Sequence, residues 1–179
     1  MKRKNINTKE KIKNYFLINP TTKLRVRQIE RALKLSLPSV IRYCKELKKQ
    51  GILKTIKIGN VVFYLADRAN ENFLLEKKLF NIKQLYKCGI LNYLKKQFHN
   101  PVIIVFGSYA KSEDVEDSDI DLYVETSSNK TIDIKDFENL LKRKIQIFRY
   151  KNIKKVSNPY LANNIINGIV LNGFLEVFK

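Results

Sequence analysis

Four residues in the second half of the chain have types and spacing that could do chemistry: Gly107, Ser108, Asp119 and Asp121. Residues 101–106 are an apolar run that predicts a strand, and the run leads directly into Gly107-Ser108. Glycine lets the backbone approach a ligand closely. Ser108 would stand at the N-terminus of a short helix, where N–H groups and a hydroxyl can hold phosphate oxygens. Residues 119–124 alternate carboxylate with apolar side chain, so Asp119 and Asp121 fall on one strand face and Ile120 and Leu122 on the other. Two carboxylates on one face repel unless a cation lies near them. Mg²⁺ suits such a pair, because it takes hard oxygen ligands and bridges substrate phosphates. The intervening residues 113–118 read as a polar loop, acidic enough to repel a free polyanion.

Further elements must position these groups. Residues 132–141 predict a helix, with Thr131 as cap, or Asp133 or Asp136 serving its first turn. Residues 144–150 predict a strand with Ile145 and Ile147 inward and Gln146 on the opposite face. Residues 151–155 are a basic segment, either a solvated loop or a nucleotide or nucleic-acid contact. Residues 159–171 predict a helix, Gly173 a turn and residues 175–178 a short edge strand. Upstream, residues 70–98 have helical spacing, with Asn81 or Gly89 as the point of a break or bend. This region would pack two domains together or form the seam of a homodimer.

The stretch GSYAKSEDVEDSDIDLYV, Gly107 to Val124, resembles the signature of the nucleotidyltransferase superfamily related to DNA polymerase beta. The Gly-Ser pair, the gap and the Asp-x-Asp match minimal members of that superfamily. The resemblance implies that Gly107, Ser108 and Lys111 hold a nucleoside triphosphate, such as ATP. It implies that Asp119 and Asp121 are catalytic and ligate Mg²⁺. It also implies a third carboxylate on a later strand, and Gln146 stands on the face expected for it. Glutamine is neutral and a poor Mg²⁺ ligand. Asp133, Asp136 and Glu138 are the available substitutes. Members often carry a glycine after the basic residue of the Gly-Ser helix, where this chain has Ser112 after Lys111.

The first half has a different character. Of 35 Lys plus Arg in the chain, 24 lie in residues 1–100, against 6 of the 17 Asp plus Glu; residues 101–179 are neutral. A field concentrated in this way attracts polyanions. The pattern predicts short helices at 8–18, 24–33 and 37–50. Thr8 is offered as the first cap, and Ser36 as the third, with Pro38 in the third helix's first turn. Val40, Ile41, Cys44 and Leu47 form the third helix's buried stripe, which makes Cys44 a core residue. Residues 53–58 and 61–65, joined by Gly59-Asn60, predict a tight hairpin. Three short helices and a hairpin are the plan of a winged helix-turn-helix, whose third helix enters the major groove of double-stranded DNA. Ser39, Arg42 and Tyr43 would face the base edges, and Lys48, Lys49, Lys54 and Lys57 the phosphates. The stretch RQIERALKLSLPSVIRYCKELKKQGIL resembles the winged helix-turn-helix domains of archaeal and bacterial transcription regulators.

The expected fold class is therefore α+β: a winged helix-turn-helix at 1–68, a helical linker at 69–100 and a nucleotidyltransferase-like mixed sheet flanked by helices at 101–179. With 44% apolar and 11% aromatic residues the chain is not a disordered basic tail. Two cysteines without motif spacing exclude a disulfide scaffold, and one histidine argues against structural zinc. No stretch is long enough to span a membrane, and no apolar run follows the basic start, so a cytoplasmic location is expected. Three functions fit. One is a DNA-binding regulator whose nucleotidyltransferase-like domain is a scaffold, nucleotide sensor or dimerisation unit. The second is an active Mg²⁺-dependent transferase moving a nucleoside monophosphate to a protein, small-molecule or nucleic-acid hydroxyl. The third, implied only by the resemblance, is the antitoxin of a toxin pair.

Overall fold

The computed structural model describes residues 7–178. Residues 1–6, which carry part of the basic N-terminal segment, lie outside it. The chain divides into two compact units, Met1–Phe80 and Asn81–Lys179, and has the α+β architecture expected from the sequence.

The first unit opens with α1 (Thr8–Ile18), α2 (Val26–Leu33) and α3 (Leu37–Lys49). Asn7, not Thr8, caps α1, its side chain accepting from Lys9 N at 3.1 Å. The second helix starts later than its apolar pattern suggests, because Leu24 is drawn into an antiparallel bridge with Tyr64. Ser36 precedes α3 in extended geometry, but its hydroxyl pairs with Ser39 Oγ at 2.9 Å instead of capping the helix. Strands β1 (Leu53–Ile58) and β2 (Val61–Ala66) form the hairpin, with Ile58 opposite Val61. Gly59 has φ +58° and Asn60 does not share that sign, which suits a two-residue turn with glycine first. Ile12, Phe16, Ile29, Val40, Cys44 and Leu47 make a fully buried core. Helix α4 (Glu71–Cys88) contributes Phe73 to it. Lys77, 1% exposed, donates from Nζ to Leu17 O at 2.6 Å. That places a cation at the C-terminal end of α1, where the helix dipole is negative.

The second unit takes the last turns of α4 and then α5 (Ile90–Gln97). The helix breaks at Gly89, at φ +87°, and runs unbroken through Asn81. Next come β3 (Ile103–Phe106), α6 (Gly107–Lys111), β4 (Ile120–Glu125), α7 (Lys135–Leu141), β5 (Ile145–Tyr150), a 3₁₀ turn at Ile153–Lys155, α8 (Pro159–Ile166) and β6 (Ile169–Asn172). The sheet order is β5-β4-β3-β6, with β4 and β5 parallel and the other pairs antiparallel. Alternate residues of β4 serve two cores. Ile120, Leu122 and Val124 pack with Leu91 and Leu94, and Tyr123 packs with Ile104, Phe106, Ile153 and Ile165.

Three sequence expectations fail here. The helix foreseen at 159–171 stops at Ile166. A Cβ on Gly168 would lie 2.6 Å from Val105 O and Ile104 Cγ2, so the chain turns there against β3 and returns as β6. The helix foreseen from 132 begins at Lys135, with Asp133 Oδ1 accepting from Lys135 N at 3.0 Å. Residues 174–178 form no strand. Among the described residues no helix is long and apolar enough to cross a membrane.

Candidate functional site

Strand β4 gathers the chemistry. Its residue Asp121 is the antiparallel partner of Phe106, the last residue of β3, and the parallel partner of Gln146 on β5. The strand-to-helix turn at Gly107 therefore meets Asp121 directly. Gly107 has φ +71°, and a Cβ there would overlap Asp121 Oδ2. Both facts demand glycine at this position. Ser108 follows in α6, half-buried, and Lys111 lies exposed at the end of that helix. Asp119 stands immediately before β4. Its Oδ2 accepts from Gln146 Nε2 at 2.5 Å. Only the nitrogen end of the amide can face a carboxylate, since an oxygen there would meet like charge. Burial, and then the neighbouring Asp119, raise the Asp121 carboxyl above its ordinary range. A cation between the two groups would oppose both effects.

Among the described residues no third carboxylate joins this pair. Glu138 Oε1 accepts from Ile145 N at 3.0 Å, Asp133 Oδ1 accepts from Lys135 N just before α7, and Asp136 is exposed on that helix. Among the described residues no three of His, Cys, Asp and Glu come together in a way that could hold a metal. Two carboxylates beside a glycine turn match the oxygen chemistry Mg²⁺ prefers. They do not supply the third anionic ligand that the sequence resemblance implies.

Behind the site lies a buried polar network that sequence reading missed. Asp114 is wholly buried and pairs with Arg143 at 3.0 Å. Arg143 also donates to Ser118 O at 3.0 Å and to Val115 O. Asn81 donates to Asp114 Oδ1 at 2.8 Å and to Tyr109 O at 2.9 Å. The network fixes the loop that delivers Asp119. Burial, followed by Asp114, drives the Tyr109 phenol far above its ordinary pKa. Nothing in the acidic run 113–117 marks Asp114 as the buried member. Ser112 is buried with φ +65°, a left-handed conformation that favours glycine.

In the first unit, Arg42, Lys48, Lys49 and Lys57 are exposed. Arg42 lies 4.4 Å over the Tyr43 ring and donates to its hydroxyl, and it approaches Glu46 at 3.9 Å. Tyr43 is half-buried against the core, and Ser39 is half-buried and bonded to Ser36. Lys48 Nζ donates to Thr55 Oγ1 at 2.8 Å, tying the helix to the hairpin. Lys54 is ion-paired with Asp67 at 3.3 Å.

The mixed sheet, the Gly-Ser turn and the paired aspartates define a nucleotidyltransferase-type unit. The profile of the family "Polymerase beta, Nucleotidyltransferase" matches residues 89–173, and the chain belongs to that family. A curated protein of Methanocaldococcus jannaschii, named "Putative protein adenylyltransferase MJ1379", is 31% identical over 81 residues. The alignment covers 43% of this chain and 81% of that protein.

Proposed function

We propose that the chain is a double-stranded-DNA-binding regulator whose nucleotidyltransferase-fold unit binds a nucleoside triphosphate with Mg²⁺. The observation that carries the DNA half is charge on a particular scaffold. Residues 1–80 hold 20 Lys plus Arg against 6 Asp plus Glu. Several of those cations are exposed on α3 and the hairpin. In this reading residues 1–68 are a winged helix-turn-helix domain, 69–100 a helical linker and 101–179 the nucleotide unit. Arg42 and Tyr43 approach base edges, and Lys48, Lys49 and Lys57 contact phosphates. Ser39 joins the base-edge set and Lys54 the phosphate set, each exchanging an intramolecular partner, Ser36 or Asp67, for DNA, as Arg42 and Lys48 exchange Tyr43 and Thr55. Leu75 and Leu79, exposed one turn apart on α4, support pairing with a second copy.

Gly107, Ser108 and Lys111 would hold the triphosphate, and Asp119 and Asp121 the Mg²⁺, which offsets phosphate charge when bound. Fluorescence anisotropy of a labelled DNA duplex at several salt concentrations tests the first half. Calorimetry with ATP, GTP, CTP and UTP, with and without Mg²⁺, tests the second. Affinity that ignores salt would overturn the DNA assignment. Nucleotide binding indifferent to Mg²⁺, or no binding, would overturn the nucleotide assignment.

A second reading is an active transferase that moves a nucleoside monophosphate to an acceptor hydroxyl and releases pyrophosphate. The intact Gly107-Ser108 and Asp119-x-Asp121 arrangement and the likeness to a protein named as an adenylyltransferase support it. Release of pyrophosphate on addition of an acceptor would favour it over the sensor.

A further inference from the structure

We infer that Gln146 limits this site to one divalent cation per bound nucleotide. The inference rests on the nucleotide reading above and concerns how that site is charged.

Gln146 and Asp121 are register partners on neighbouring parallel strands, and the amide of Gln146 reaches Asp119 at 2.5 Å. A neutral group thus occupies the place beside the two aspartates from which a further ligand would come. A bound triphosphate brings negative charge of its own, so the limit is set by protein ligands: the two ionised aspartates supply two anionic side chains. A second cation within about 4 Å of the first, the spacing of two-metal sites, would have to share them, with no further anionic side chain to hold it. The candidates that could have supplied that anion are committed elsewhere or absent from the cluster. Glu138 accepts the Ile145 N–H, Asp133 accepts the Lys135 N–H, and no trio of ligating side chains forms among the described residues. Gln146 also donates a hydrogen bond to Asp119 Oδ2, so a metal taking that oxygen must displace the amide or share the oxygen with it.

Glutamine and glutamate are nearly isosteric, so Gln146→Glu changes charge with little change in volume. Gln146 is exposed, and its backbone pairing is set by β4 and β5. The substitution is therefore a direct test of the charge argument. Mn²⁺, an EPR-visible substitute for Mg²⁺, is titrated into the full chain with each of ATP, GTP, CTP and UTP. Bound ion is counted after subtracting a nucleotide-only blank. One Mn²⁺ per bound nucleotide, with no dipolar broadening from a neighbouring Mn²⁺, is expected for the natural chain. Gln146→Glu should raise the count to two and introduce the broadening. Gln146→Ala, which removes the amide without adding charge, should stay at one.

Two ions in the natural chain would overturn the inference and leave the nucleotide reading standing. Two in Gln146→Ala, or one in folded Gln146→Glu, would overturn it as well. The count on the natural chain decides the matter if Gln146→Glu does not fold. Nucleotide that binds without Mn²⁺, or no nucleotide binding at all, would overturn the nucleotide reading and the inference with it.

Discussion

The two units handle charge in opposite ways. The first holds 20 basic residues and has a core of aliphatic and aromatic side chains, and most of its cations among the described residues face solvent. Lys77 is the exception, buried on a helix-terminal carbonyl. In the second unit, 15 basic residues nearly balance 11 acidic ones, and the charges that matter for the site's architecture lie inside it, in Asp114 and Arg143. Exposed charge creates a long-range field and contributes little to stability. Buried charge has the reverse profile. It is felt over a few ångströms, fixes a loop, and is costly when one partner is lost.

The largest expected effect therefore falls on the second unit. Asp114→Ala leaves Arg143 buried beside Tyr109 without its carboxylate and removes one of the two acceptors of the Asn81 amide. Breaking a buried pair on one side costs about 3–5 kcal/mol. Hydrogen exchange should show lost protection around residues 81, 109 and 118, with protection around Phe16 and Leu47 retained. Loss spread evenly over both units would break the contrast between them. Gly107→Ala should follow in size. The positive φ alone costs on the order of 1–2 kcal/mol, and the methyl group displaces Asp121 besides. Thermal denaturation and Mg²⁺-dependent nucleotide binding should both register it.

Function should divide along the same line. Asp119→Asn should abolish Mg²⁺-dependent nucleotide binding and leave duplex DNA affinity unchanged. Calorimetry and anisotropy on the same preparation check this, and retained Mg²⁺-dependent affinity would remove Asp119 from the metal site. Arg42→Ala with Lys49→Ala should weaken DNA binding, and each lost phosphate contact lowers the salt slope by about 0.9. An unchanged affinity and slope would sink α3 as the recognition helix.

Much of this arrangement was legible in the sequence because it follows from period and punctuation. The strand ending at Phe106 and the Gly107 turn lie where the pattern puts them, as does the Gly59-Asn60 hairpin, while the alternating strand runs from Ile120 to Glu125 and leaves Asp119 just before it. What the pattern could not show depends on partners distant in sequence. Asparagine has low helix propensity, so the sequence offers Asn81 beside Gly89 as the point of a break or bend. In the fold its amide is consumed by Tyr109 and Asp114, 28 and 33 residues away. The apolar run through Ile165 to Leu171 read as one helix. Only the close approach of Gly168 to Val105 shows why it splits into helix and strand. The register of Gln146 against Asp121 was legible as parity. Its grip on Asp119 was not, because that depends on where the residue before β4 leaves the strand.

The smallest effect compares the two thiols. Cys44 lies in the first unit's core, where burial pushes its thiol from its ordinary 9.0 up to about 12. Cys88, half-buried in the second unit, is raised chiefly by burial as well, with backbone hydrogen bonds working against the shift. A raised folded pKa stabilises the native state fully below the unfolded value, and that contribution is lost as pH rises through the folded one. For Cys44 the loss should run from about pH 9 to pH 12. At pH 9 the unfolded chain already has thiolate to alkylate, whereas the native core keeps Cys44 protonated and covered. Iodoacetamide at pH 9 should therefore label Cys88 first and Cys44 only on unfolding, as read by peptide mass analysis. Fast native labelling of Cys44 would mean that the first unit's core opens readily, and its stability would then have to be reassigned.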